Sequence, residues 1–186
     1  MNKLFSDSQK ALINLPARND NETENFLTFD FPAGSLDISK QDFIFPSGLH
    51  VDSSVKWLEE SLLLVKIAIS CEIQSECARC LKPVNLEISG DLMYLYYLRG
   101  NTAFDEFGDS YDEYMPVEVE FFARVLDIMP QIRESVYTLL PTKILCKEDC
   151  AGLCPECGAD LNLGKCSCEQ KFTDLRLESL RNFVIE

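Results

Sequence analysis

The stretch Val65-Lys66-Ile67-Ala68-Ile69-Ser70-Cys71-Glu72-Ile73-Gln74-Ser75-Glu76-Cys77-Ala78-Arg79-Cys80-Leu81-Lys82-Pro83-Val84-Asn85-Leu86-Glu87-Ile88 decides the fold. Val65, Ile67, Ile69, Cys71 and Ile73 alternate with polar or small neighbours, and Val84, Leu86, Ile88 and Leu92 do the same after a short polar segment. Successive side chains of a strand point to opposite faces, so two such runs predict a β-hairpin with one face on a core. Cys71 keeps step with the apolar residues and reads as a small buried hydrophobe. Cys77 and Cys80 fall at the hairpin tip.

Working outward toward the N-terminus, Leu27-Thr28-Phe29-Asp30-Phe31 has the same period of two and is stopped by Pro32-Ala33-Gly34. Asp42-Phe43-Ile44-Phe45-Pro46 is a shorter strand candidate, and residues 1–25 read as a flexible polar lead-in. The single histidine, His50, and the single tryptophan, Trp57, have no companions in a recognisable motif, so they read as a loop histidine and a packing tryptophan. Toward the C-terminus, Asn101 to Glu120 carries Asp105, Glu106, Asp109, Asp112, Glu113, Glu118 and Glu120 and no Lys or Arg. Gly100 and Gly108 interrupt it and like charges repel, which predicts an acidic loop, either merely solubilising or a docking surface for a cation-rich partner. Val117, Val119 and Phe121 alternate again as a strand. Ile128, Ile132, Val136, Leu139 and Leu140 are spaced for a helix that ends at Pro141 and lays its apolar face on the sheet. Thr173 offers an N-cap to a short C-terminal helix with Leu177, Leu180, Phe183 and Val184 on one face.

The chain has 186 residues, 46% apolar and 26% charged, with a formal net charge of −14 and nine cysteines. Such a composition excludes wholesale disorder, and the length allows one core plus a small satellite. No apolar stretch is long enough to span a membrane, and the start of the chain lacks a signal-peptide pattern, so a cytoplasmic protein is expected. A reducing cytosol keeps structural disulfides rare, which turns the cysteines toward metal or redox chemistry.

Six cysteines lie in the 23 residues from Cys146 to Cys168, as Cys146, Cys150, Cys154, Cys157, Cys166 and Cys168. This stretch is too poor in large apolar residues to close a core, and a tetrahedral metal would order it instead. Cys154-Pro155-Glu156-Cys157-Gly158 is the most specific piece: two intervening residues bring both sulfurs to one ion, Pro155 presets one backbone angle, and Gly158 permits the left-handed conformation that aims N–H groups at the thiolates. It has the form of a zinc-ribbon or rubredoxin knuckle. With Cys71 set aside, eight thiolates would fill two sites, Cys77 and Cys80 joining the distal cluster, or one site with four thiols left free. At least one site is expected between Cys146 and Cys168. The metal is expected to be structural zinc; iron also suits four thiolates.

A catalytic role for the cysteines finds little support. A thioredoxin-type pair sits where a strand enters a helix, whereas Cys77 and Cys80 lie between two strands. A zinc deaminase needs His-x-Glu and then Pro-Cys-x-x-Cys, and here Val51-Asp52 follow His50 while the proline lies inside the pair. No Gly-rich phosphate loop, nucleophile–base pair or small-molecule site is evident.

At these residues the chain resembles the YceD family, implicated in accumulation of large-subunit (23S) ribosomal RNA. The resemblance is carried by Cys77-Ala78-Arg79-Cys80-Leu81-Lys82-Pro83-Val84, by Leu145 through Asn162 with its four cysteines, by Cys166-Ser167-Cys168, and by Asp127-Ile128-Met129-Pro130-Gln131-Ile132-Arg133-Glu134. It runs from about residue 35 to the C-terminus. It implies a non-catalytic ribosome biogenesis factor, and the frequent gene neighbourhood with a small basic large-subunit ribosomal protein implies that this protein, or a pre-50S particle, is the partner. Some members lack much of the distal cysteine cluster.

The fold expected is α+β. Residues 26–141 would form an antiparallel β-sheet domain with a packed helix. Residues 142–186 would form a cysteine-rich, zinc-ribbon-like module and a short C-terminal helix. Two other functions compete: a thiol redox protein working through Cys77 and Cys80, and a zinc-ribbon module that binds nucleic acid. For the last, Lys143, Lys147, Lys165 and Lys171 are the candidate basic face, diluted by Glu148, Asp149, Glu156, Asp160 and Glu169. Four thiolates on one divalent ion add two negative charges, taking −14 to about −16 with one filled site and about −18 with two. That disfavours free RNA and favours a basic protein.

Overall fold

The structure, a computed structural model, describes residues 9–18, 20, 22–33, 43–100 and 113–168. The Leu62–Leu98 region forms the predicted hairpin, with β4 (Leu62–Glu76) and β5 (Pro83–Leu98) paired along their length from Leu62↔Tyr97 to Glu76↔Pro83. β2 (Glu24–Phe31) and β3 (Leu49–Glu59) extend the sheet antiparallel, Val55 facing Val65 and Val51 facing Ile69 across the β3–β4 pair. One face buries Val51, Val55, Trp57, Val65, Ile67, Ile69, Ile73 and Tyr94. Cys71 packs half-buried at the rim of this core, as its parity predicts, and burial pushes its thiol up to about 11.

Two elements fall where a lead-in and a loop were expected. β1 (Leu12–Asn14) pairs with β7 (Val125–Asp127) as a separate two-stranded sheet, and Ala11 and Ile13 are buried. So the stretch read as lead-in contributes to the core, through pairing with a partner more than a hundred residues away. His50 stands in β3, not in a loop, and its Nδ1 lies 2.6 Å from Asp30 Oδ1 on the solvent side. Trp57 packs as expected, edge-on to Phe122 at 4.8 Å between ring centroids, and its Nε1–H donates to Pro16 O at 3.0 Å. The 42–46 candidate reduces to a single bridge between Ile44 and Gln74; Asp42 lies outside the described residues.

β6 (Met115–Val119) joins the sheet at β5, but parallel to it, so the sheet is mixed and its order is β2-β3-β4-β5-β6. A parallel return needs a long crossover, and residues 99–114 supply it. The acidic loop expected there, from residues 101 to 112, lies outside the described residues, as does the C-terminal helix expected at 173–184. Glu118 and Glu120 are described, and both accept from Arg99.

The single α-helix of the described residues, α1 (Met129–Leu139), has Pro130 in its first turn and ends as Leu140 turns extended before Pro141. Asp127 Oδ1 accepts from Met129 N at 3.0 Å and from Ala11 N at 3.1 Å, tying the helix start to the β1 segment. Met129, Ile132, Ser135 and Val136 are buried against the sheet. Tyr94 Oη bonds to Gln131 O at 3.1 Å and Ser135 Oγ at 3.0 Å. A Cβ at Gly90 would lie 2.5 Å from Leu139 Cδ2, so the helix end sits directly on a glycine of β5. Among the described residues no helix is long and apolar enough to cross a membrane.

Candidate metal centre

Beyond α1 the chain runs back along the tip of the β4–β5 hairpin. Ala78 N donates to Ile144 O at 2.8 Å, Leu153 N to Arg79 O at 3.1 Å, and Arg79 Nη1 to Cys150 O at 2.6 Å. These bonds lay residues 144–153 against the turn that carries Cys77 and Cys80. Four sulfurs meet as a result: Cys77, Cys80, Cys146 and Cys150 all lie within 4.8 Å of one another. A second quartet, Cys154, Cys157, Cys166 and Cys168, satisfies the same limit. All eight expected ligands are thus brought together, but the six distal cysteines do not form one cluster. Cys146 and Cys150 join the hairpin tip, and the first quartet straddles the boundary expected at residue 142.

The spacing suits a tetrahedral ion. Zinc–thiolate bonds of about 2.3 Å in a regular tetrahedron set the sulfurs about 3.8 Å apart. Cys77 and Cys150 sulfurs are 3.7 Å apart and those of Cys80 and Cys146 3.6 Å, far beyond disulfide length.

Each quartet contains a C-x-x-C turn, and the two turns repeat each other bond for bond. Leu81 N donates to Cys77 O at 2.9 Å, as Gly158 N does to Cys154 O at 2.8 Å; Cys77 N donates to Lys82 O and Cys154 N to Ala159 O, both at 2.8 Å. Gly158 takes φ +71°, as expected of a knuckle glycine, and Leu81 holds the matching position at φ +60°. The first turn is therefore also a knuckle, although a leucine occupies the place where glycine would have announced it.

The backbone of these turns favours thiolates. Burial pushes the Cys77 thiol up, but N–H groups of Arg79, Cys80 and Cys146 on its sulfur outweigh this and bring it to about 6. N–H groups of Cys157 and Glu156 bring Cys154 to about 7. Cys150 is likewise lowered: burial opposes this, and the Asn162 side chain and the Gly152 N–H overcome it. Cys80 and Cys166 shift the other way: N–H groups of Lys82 and of Cys168 oppose the shift, and burial with contact to Cys77 raises Cys80 while contact with Cys154 and burial raise Cys166. Contact with Cys80, then burial, raises Cys146 to about 12, and contact with Cys157, then burial, raises Cys168 to about 12. Four crowded thiols cannot all ionise without a counter-charge, and a divalent cation would supply it. The donor set and the sulfur spacing fit such an ion; four thiolates at this spacing suit zinc or iron.

Around the first quartet lies a polar layer that sequence spacing did not single out. Asn162 Nδ2 donates to Cys150 Sγ at 3.5 Å and to Asp160 Oδ1 at 2.8 Å, and Asn162 Oδ1 accepts from Ala151 N at 2.9 Å. Asp160 Oδ2 in turn lies 2.7 Å from Lys82 Nζ on the hairpin tip, and the Lys82 ammonium, with the Asn162 donors, holds the Asp160 carboxyl at about 2. Of the candidate basic face, Lys147 sits 3.6 Å from Asp149, and Lys171 and Glu169 lie outside the described residues.

The family model described as large ribosomal RNA subunit accumulation protein YceD matches residues 65–184, a span that contains both quartets. Uncharacterized proteins of Mycobacterium bovis and of two strains of Mycobacterium tuberculosis are 30% identical to the chain over 118 residues, 61% of this chain and 51% of theirs. The chain therefore spans about half the length of the curated relatives it matches. No solved structure matches it.

Proposed function

The chain belongs to the YceD family, the large ribosomal RNA subunit accumulation proteins, and from that premise we propose that it is a non-catalytic ribosome biogenesis factor supporting accumulation of large-subunit ribosomal RNA. The observation that carries this reading is the family match over residues 65–184, which takes in the hairpin, the helix and both cysteine quartets. In this reading each quartet holds one structural zinc ion, and the two ions fasten residues 145–168 to the hairpin tip. The four sulfurs of each quartet lie within 4.8 Å of one another, enough thiolates to fill every position of a tetrahedral ion, which favours a structural ion over a catalytic one with an open position. The lowered thiols Cys77 and Cys154 suit a metal ligand as well as a redox nucleophile, and the three further sulfurs around each favour the metal.

The partner is a basic ribosomal protein or a pre-50S particle, met through the acidic surface. A formal charge of −14 repels phosphate backbones and attracts cationic tails. Cells lacking this chain should show a reduced ratio of large- to small-subunit ribosomal RNA, restored by the wild-type chain. Ratios that stay equal with and without the chain would remove the proposal. Affinity capture at moderate salt should bring down a basic ribosomal protein or a precursor particle, and capture of neither rejects the partner.

A further inference from the structure

The segment that closes the second quartet also builds the surroundings of the first. Residues 158–165 lie between Cys157 and Cys166, so ligation of those two sulfurs pins both ends of this loop. From inside the loop, Asn162 reaches out of its own quartet: its Nδ2–H donates to Cys150 Sγ at 3.5 Å while its Oδ1 accepts from Ala151 N at 2.9 Å. Asp160 orients it, accepting from both its side-chain and backbone nitrogens at 2.8 and 2.9 Å. Asp160 is itself tied to Lys82, two residues beyond Cys80 of the first quartet, at 2.7 Å.

The two quartets also share backbone. Cys150 and Cys154 flank Ala151-Gly152-Leu153; Leu161 N donates to Gly152 O at 2.9 Å and Leu153 N to Arg79 O at 3.1 Å. Gly152 takes φ +78°, and a Cβ there would lie 3.0 Å from Arg79 O, so the linker is pressed onto the hairpin tip. The Leu161–Gly152 bond ties the loop closed by the second quartet to the linker, and the Leu153–Arg79 bond ties the linker to the hairpin that carries the first quartet.

From this arrangement we propose that the two quartets bind metal cooperatively, with Asn162 as the positioning residue through which the second site strengthens the first. The inference rests on the reading that the quartets hold metal. Filling the second site fixes residues 158–165, presents the Asn162 N–H to Cys150 and sets the Asp160–Lys82 pair. The first site then meets its ion with an outer layer already in place, where partners of this kind are worth about 10–100-fold in metal affinity. Linkage makes the effect reciprocal: an ion in the first site strengthens the second by the same factor.

The test uses the full chain, reduced and metal-free, titrated with zinc against a competing chelator and counted by native mass spectrometry. Cobalt titration is run alongside, because sulfur-to-cobalt charge transfer reports tetrahedral thiolate ligation directly. Wild-type chain should pass from no ion to two with little of the one-ion species. Cys157→Ser/Cys166→Ser, which removes the second site, should lower affinity at the first by about tenfold or more. Asn162→Asp keeps the shape and the acceptor for Ala151 N but replaces the donor shared by Cys150 and Asp160 with a carboxylate oxygen. It should still fill the second site while weakening the first by a similar factor and shifting its cobalt charge-transfer band. Cys80→Ser/Cys146→Ser should weaken the second site in turn.

Two ions that bind wild-type chain independently, or a first site indifferent to both Asn162→Asp and loss of the second quartet, overturn the coupling while leaving the metal reading intact. A wild-type chain that takes up fewer than two ions overturns the metal reading, and the coupling with it.

Discussion

The sheet and the cysteine module are held by different physics although the chain runs directly from one to the other. In the sheet, Val51, Val55, Ile67, Ile69, Tyr94 and their neighbours interlock, and α1 closes over them with Ile132 and Val136. Between residues 145 and 168 the buried residues are Cys150, Gly152 and Cys154, and Leu163 stands 83% exposed. Burial of apolar area near 25 cal/mol per Å² stabilises the first region and is almost absent from the second. The module has a dense set of backbone hydrogen bonds, but such bonds replace bonds to water and bring only about 1 kcal/mol each. A close-packed core needs nothing from outside the chain. If the quartets hold metal as proposed, the order of the cysteine module depends on metal supply and thiol state.

The largest test of this contrast is removal of metal. Stripping ions with a chelator under reducing conditions should leave residues 145–168 open to proteolysis and fast amide exchange while the β3–β4–β5 core stays protected. Structural zinc in small modules is worth about 10–16 kcal/mol at neutral pH, far more than these backbone bonds supply. Identical cleavage patterns with and without chelator would show that the module stands without metal, and the contrast would collapse.

The reverse substitution attacks the sheet. Ile67 is fully buried in the middle of β4, opposite Ser53 and Leu92 in the two neighbouring strands. Ile67→Ala should lower global stability in denaturant by about 2–5 kcal/mol, the usual cost of truncating such a side chain to a cavity. Metal content per folded chain should stay unchanged. Loss of metal at a denaturant concentration where the sheet is still folded would show that the hairpin tip depends on more than its own turn.

What was legible in the sequence follows the same division. The β4–β5 hairpin and α1 could be read because their apolar residues recur at periods of two and of about 3.6, and both pack one face. Leu49, Val51, Val55 and Trp57 carry the same period in β3, but Ser53 interrupts it. That serine is buried and satisfied, donating to Leu27 O at 2.9 Å, a partner no local pattern reveals. The parallel placement of β6 and the pairing of β1 with β7 depend on long-range closure, about which periodicity is silent. All eight metal-ligand candidates were visible as cysteines, whereas their division into quartets was not. Density along the chain grouped Cys146 and Cys150 with the cysteines after them, and folding groups them with a turn more than sixty residues earlier.

The smallest effect separates the two knuckles. Their hydrogen bonds match, yet one places glycine and the other leucine in the left-handed conformation. For a residue with a Cβ that conformation costs roughly 1–2 kcal/mol. A Cβ at Gly158 would meet nothing within 4 Å, so Gly158→Ala isolates backbone strain from packing. It should weaken the second site by about 1 kcal/mol, near a fivefold loss of zinc affinity. Leu81→Gly should act in the opposite sense at the first site, relieving strain at φ +60° while removing a side chain that is 59% exposed. Its gain should be smaller, because glycine adds about 0.4–1 kcal/mol of unfolded-chain entropy that offsets part of the relief. Zinc competition on the two variants measures both. If Leu81→Gly instead weakens the first site, the leucine is held by a contact that outweighs its backbone strain, and the two knuckles are alike in their bonds alone.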